Sequence, residues 1–136
     1  MGRSVTAMTT KTFHGSCKCG AVRFEADLDL KQGTTKCNCT SCWKRRWWSI
    51  RAKPEGFRPL SGEDRLDKEH GGFCRGCGIV PYGYVAAAEW NDGAYYSVNV
   101  AVLDDLDPKD LIAAPVQICD GRNDDWFRKP EVTGHL

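Results

Sequence analysis

Cys17-Lys-Cys-Gly-Ala-Val-Arg-Phe-Glu-Ala-Asp-Leu28 sets two thiols one residue apart and then runs, across Gly20, into an alternating segment. Val22, Phe24, Ala26 and Leu28 alternate with Arg23, Glu25 and Asp27, the two-residue period of a strand with one face in a core. A strand that issues directly from a cysteine pair predicts a β protein whose loops are held by sulfur chemistry.

Two further thiol groups lie downstream, Cys37-Asn-Cys39-Thr-Ser-Cys42 and Cys74-Arg-Gly-Cys77, so the three groups take seven of the eight cysteines. Thiolates at one- and two-residue spacings converge on a soft tetrahedral cation, because a short loop aims neighbouring sulfurs at one point. The rival reading, disulfides, suits small secreted chains. It fits poorly here, since both members of a C-x-C pair must find separate partners without straining disulfide geometry. Met1 to Thr10 is polar and carries no apolar h-region, which with the cysteine pattern points to a reducing cytoplasm.

A tetrahedral zinc takes four ligands, so seven thiols fill one site and leave three in a second. Three protein ligands and an open position is the arrangement of catalytic zinc. Joining Cys17 and Cys19 to Cys74 and Cys77 clips a loop of over fifty residues, where a cross-link contributes most in the chain-entropy picture. Both pairs end in Cys-Gly, Cys19-Gly20 and Cys77-Gly78, which allows a tight turn around the sulfurs. Cys37, Cys39 and Cys42 are close enough to bind one ion alone. Spacing also permits Cys17 and Cys19 to join that second group. Cys119, His14 and His70 are the candidates for a fourth ligand there.

At 136 residues and net charge +1, the chain reads as one domain, with residues 1–11 a flexible lead and 12–136 the folded unit. The charge gives no large electrostatic footprint for nucleic acid. No run of 18 apolar residues is present, so no membrane span is expected. Residues 1–6 match the loose N-myristoylation pattern, but a frayed terminus is the better reading. Residues 47–52, 79–87 and 94–103 read as further strands, and residues 40–46 and 107–113 as short helical turns. The first turn is expected to start at a Thr40 or Ser41 cap, the second at Asp107 before Pro108. The architecture is mainly β, mostly antiparallel.

Trp43-Lys-Arg-Arg-Trp-Trp48 follows the second group directly. Lys36, Lys44, Arg45 and Arg46 soften the −1 charge of a three-thiolate zinc and attract an anionic ligand. Aromatic and cationic residues together also suit a single-stranded nucleic-acid platform, whereas tryptophans packed in a core with solvated cations is the plainer reading.

The motifs Gly15-Ser-Cys-Lys-Cys-Gly-Ala-Val-Arg-Phe24, Cys37-Asn-Cys-Thr-Ser-Cys42 and Gly72-Phe-Cys-Arg-Gly-Cys-Gly78, in this order, resemble the glutathione-dependent formaldehyde-activating enzyme family, which includes centromere protein V. Leu60-Ser-Gly62 and Pro115 to Trp126 fit the same layout, so the resemblance spans residues 12 to 127. It implies a β-tent fold of small antiparallel sheets with zinc-pinned loops and two zinc ions. Cys17, Cys19, Cys74 and Cys77 would form the structural site, and Cys37, Cys39 and Cys42 the second. The implied activity is a carbon–sulfur lyase reaction, the condensation of glutathione with formaldehyde to S-hydroxymethylglutathione. Arg45, Arg46 and Trp47 are the substrate-binding candidates, the arginines by bidentate contact with glutathione carboxylates. Two features depart from the family's pattern: Pro115-Val-Gln-Ile118 lacks the usual histidine, and Trp43 to Trp48 replaces small residues. The alternative is a non-catalytic zinc-binding interaction module, with nucleic-acid contact as one variant.

Overall fold

Phe24 is fully buried, and the strands assemble around it in a computed structural model that describes residues 9–136. Residues 1–8, including the acylation pattern, lie outside the described residues; Lys11 already opens the first strand. Strands β1 (Lys11–Ser16), β2 (Arg23–Leu28) and β5 (Phe57–Ser61) form an antiparallel sheet in the order β1-β2-β5. The alternation in β2 does what its period implies: Phe24, Ala26 and Leu28 are buried while Arg23 is exposed. Burial of side chains the size of Phe24 and Leu28 stabilises by about 1.5–3 kcal/mol each.

A second sheet holds β10 (Val116–Cys119), β3 (Thr34–Cys37), β4 (Trp48–Ala52), β9 (Tyr95–Asn99) and β8 (Tyr82–Val85), in that spatial order. Its pairs are antiparallel except β10 with β3, which run parallel and set Cys119 beside Cys37. A third, two-stranded sheet pairs β6 (Leu66–Asp67) with β7 (Phe73–Cys74). The mainly β reading holds, and aromatic packing joins the two larger sheets. Phe57 stacks on Phe24 at 5.2 Å and on Tyr96 at 4.0 Å, with Tyr82 edge-on at 4.6 Å.

Local differences from the expected elements have physical causes. Residues 21–22 leave the strand because Val22 is used by the thiol turn: its N–H donates to Cys17 Sγ and its carbonyl accepts from Cys17 N. Residues 94–103 divide after Asn99, whose side chain accepts from Ala101 N and starts a 3-10 turn, Val100–Val102. The Thr40–Arg45 helix is capped by Cys39, not by Thr40 or Ser41; the Cys39 sulfur accepts from Cys42 N at 3.4 Å. A thiolate is a competent cap because the first amides of a helix are unpaired donors. The Pro108–Ala113 helix does start from Asp107, which accepts from Lys109 N.

Candidate metal centres and an adjoining cleft

The loop from β1 to β2 carries Cys17 and Cys19, while Cys74 ends β7 and Cys77 lies in the turn after it. Tertiary folding brings all four sulfurs within 4.8 Å of one another. Cys17 Sγ lies 3.6 Å from Cys19 Sγ, and Cys19 Sγ 3.7 Å from Cys74 Sγ, so the thiols are neighbours and not disulfides. Gly20 and Gly78 both adopt left-handed backbone, φ 79° and 80°, as the turn around each thiol pair requires. Gly78 N and Cys77 N both donate to the Cys74 carbonyl, closing that turn. Amides of Ile79 and Cys19 directed at Cys77 hold its thiol down at about 6. The set suits a tetrahedral cation: four soft donors, all but the exposed Cys19 buried or partly buried, with amide donors offsetting their charge.

The second group forms where β3 ends and the Thr40–Arg45 helix begins. Cys37, Cys39 and Cys42 place their sulfurs within 4.8 Å of one another. Burial and the two neighbouring sulfurs push the Cys42 thiol up to about 12. Thiols packed this closely cannot all ionise by themselves, a conflict that a divalent cation resolves. Of the groupings that spacing leaves open, the structure places Cys17 and Cys19 with Cys74 and Cys77.

Among the described residues no fourth Cys, His, Asp or Glu donor stands within the same distance of all three second-group sulfurs. His14 is held elsewhere, its ring nitrogens 2.9 Å from Asp105 and 3.2 Å from Glu25. His70 pairs with Asp67 at 3.1 Å. Cys119 stands next to the group, in register with Cys37, but outside it.

A buried polar network ties this group to the segment after β10. Asn38, between the first two thiols, donates to Asp120 Oδ1 at 2.9 Å and accepts from Arg122 N at 3.0 Å. Asn38 N donates to the Cys119 carbonyl, and Asn123 donates to Asp120 Oδ2. These donors hold the Asp120 carboxyl below the usual carboxylate range, Asn123 foremost. Gly121 rests directly on the thiols: a β-carbon there would lie 2.6 Å from Cys37 Sγ and 2.5 Å from the Trp126 ring. Gly121→Ala is expected to lose about 1–3 kcal/mol of stability and to weaken metal retention at the second group. Chemical denaturation and metal content check this together.

A cavity of about 250 Å³ opens beside Cys37 and Cys42, lined also by Lys36, Trp43, Arg46, Trp47 and Trp48. Lys36 Nζ sits 4.3 Å over the Trp48 ring, and the Arg122 guanidinium 4.8 Å over Trp43. Trp47 Nε1 donates to Ser97 at 3.3 Å and Trp48 Nε1 to Thr34 at 2.8 Å, so polar bonds fix both indoles. Of the residues expected to meet a substrate, Arg46 and Trp47 line this cleft. Arg45 does not; on the helix it points to the neighbouring loop, its guanidinium against Gly71. Trp43 and Lys36 take part instead. Arg46 reaches the cleft because it leaves the helix in a left-handed conformation, φ 57°, a turn its composition does not announce.

Small sheets pinned by two thiol groups suited to metal define a mainly β, metal-binding class of domain. Within it the chain belongs to the glutathione-dependent formaldehyde-activating enzyme family, whose model matches residues 12–119. The chain is also similar to a Rhodobacter sphaeroides protein of known crystal structure. The two share 29% sequence identity at a TM-score of 0.59, over 76% of this chain and 99% of that one. No curated protein matches.

Proposed function

We propose that this chain is a zinc-dependent enzyme of the carbon–sulfur lyase type. It joins glutathione to formaldehyde, or to a related small carbonyl, and so forms S-hydroxymethylglutathione. The observation that carries the reading is a three-sulfur group without a fourth protein donor among the described residues, opening on a cationic cleft. Family membership supplies the substrate class. No helix among the described residues is long and apolar enough to cross a membrane, and a reducing cytoplasm suits chemistry that depends on free thiols.

Cys17, Cys19, Cys74 and Cys77 would hold one zinc as a structural tie, and Cys37, Cys39 and Cys42 a second. That second ion would act as a Lewis acid, lowering the pKa of an incoming thiol from roughly 8.5 toward the neutral range. Lys36 and Arg46 take the carboxylates of the peptide-like substrate, Arg46 by its planar fork and Lys36 as a point charge. Trp43, Trp47 and Trp48 wall the cleft, restrict water and orient the thiol toward Cys37 and Cys42. The reaction balances without redox: sulfur bonds the carbonyl carbon, the C=O π pair becomes an oxyanion, and that oxygen takes the proton lost by the thiol.

Native mass spectrometry of freshly purified, reduced protein, with and without glutathione, tests the reading. Two zinc ions and a specific glutathione adduct are expected. Two zinc ions with no adduct would refute glutathione as the substrate. A second group that binds no zinc in fully reduced protein would refute the mechanism.

A further inference from the structure

Residues 130–136 do not trail into solvent. Pro130 is buried and anchors the segment, and Leu136 N donates to the Thr133 carbonyl at 3.0 Å, closing a turn. The turn lies on the cleft just described. The Arg46 guanidinium donates to the His135 carbonyl, and Lys36 Nζ donates to a main-chain oxygen of Leu136 at 3.2 Å. The His135 ring meets Trp43 edge-on at 4.6 Å, and Leu136 completes the lining beside Cys37 and Cys42.

Four independent contacts therefore link this segment to the cleft: two cations, one aromatic ring and one aliphatic lining contact. Lys36 and Arg46 bind main-chain oxygens there, the atoms any peptide presents. We propose that the cleft is a peptide-binding site occupied in cis by residues 133–136, and that a ligand enters only by displacing them. The docking stands on these contacts alone; its consequence for thiol binding rests on the proposed function.

The energetics allow exchange. The Arg46 bond to the His135 carbonyl pairs a cation with a neutral oxygen, and a carboxylate in its place adds charge attraction and a bidentate fit to the guanidinium. An anionic ligand thus competes effectively for Arg46. A segment tethered over a short span has an effective concentration of about 1 mM. Against a short-peptide contact on the order of 0.1 mM, that weakens a competing ligand about ten-fold. The chain would carry a built-in competitor that sets the ligand concentration needed to open the site.

The test uses zinc-loaded full-length chain, a variant ending at Pro130, and a synthetic hexapeptide of residues 131–136. Tryptophan fluorescence reads peptide binding, and calorimetry reads glutathione binding. The hexapeptide is expected to saturate the shortened variant but not the full chain, and the shortened variant to bind glutathione about ten-fold more tightly. If glutathione binds neither form while the peptide still binds only the shortened one, the cis docking stands and the thiol reading falls. Failure of the peptide to bind a folded shortened variant overturns the inference. Equal glutathione affinity in the two forms overturns it as well. Should shortening unfold the protein, full-length His135→Ala carries the test. It is expected to tighten glutathione binding two- to three-fold, and unchanged affinity there overturns the proposal.

Discussion

Cys74→Ser is expected to abolish cooperative folding, not merely to slow a reaction. Cys74 is completely buried, pairs with Leu66 across the smallest sheet, and packs its sulfur 3.7 Å from Cys19, which is 55 positions away in sequence. Serine offers a hard, protonated hydroxyl where a soft thiolate is needed. A structural zinc contributes on the order of 10–16 kcal/mol of apparent binding free energy, comparable with or larger than the roughly 5–15 kcal/mol stability of a typical domain. Weakening it loosens the tie between the β1–β2 loop and the β6–β7 hairpin, whose two strands have two residues each. Circular dichroism should show no cooperative thermal transition, and metal analysis should show one ion fewer than in the parent protein. A melt within a few degrees of the parent protein would mean that this thiol group does not hold the fold.

Cys42→Ala should have the opposite profile. Turnover is expected to fall at least 10³-fold, about 4 kcal/mol of transition-state stabilisation, with the fold retained. The reason is the polar network beneath the second thiol group. Asn38, Asp120 and Arg122 hold the Cys37–Cys39 loop through hydrogen bonds that do not involve Cys42. The parallel pairing of β10 with β3 holds it a second time. A stability loss of about 1 kcal/mol corresponds to a thermal midpoint lowered by roughly 2–4 °C, the range of the larger domains nearest this size. Metal content should drop by one ion. Unfolding in Cys42→Ala would instead identify a second structural site, and the interaction-module reading would replace the enzyme.

Much of the site was legible because thiol spacing is local chemistry. Cys17 with Cys19, Cys37 with Cys39 and Cys42, and Cys74 with Cys77 each sit in a single turn, so residue type and distance along the chain announce a ligand group. The β2 alternation was legible for the same kind of reason, since period two maps directly onto one buried face. Strands β3 and β10 were not. Thr34-Thr35-Lys36-Cys37 has no alternation of apolar and polar residues, and both strands depend on neighbours to be strands at all. Arg45 and Arg46 were indistinguishable as adjacent cations. A left-handed residue at the helix end sends one toward the cleft, while the other stays over Gly71.

Thus the amino-acid order was sufficient for a mainly β chain with two metal-type thiol groups, because alternation and ligand spacing act within a few residues. The partition of those thiols, which the resemblance implied, is realised in space only in the folded chain, and the cleft is made there. Cys19 meets Cys74 over 55 positions, Asn38 meets Asp120 over 82, and Lys36 meets Leu136 over 100. Contacts at such separations depend on how sheets pack and which edge a strand joins, and no local pattern of residues encodes that choice.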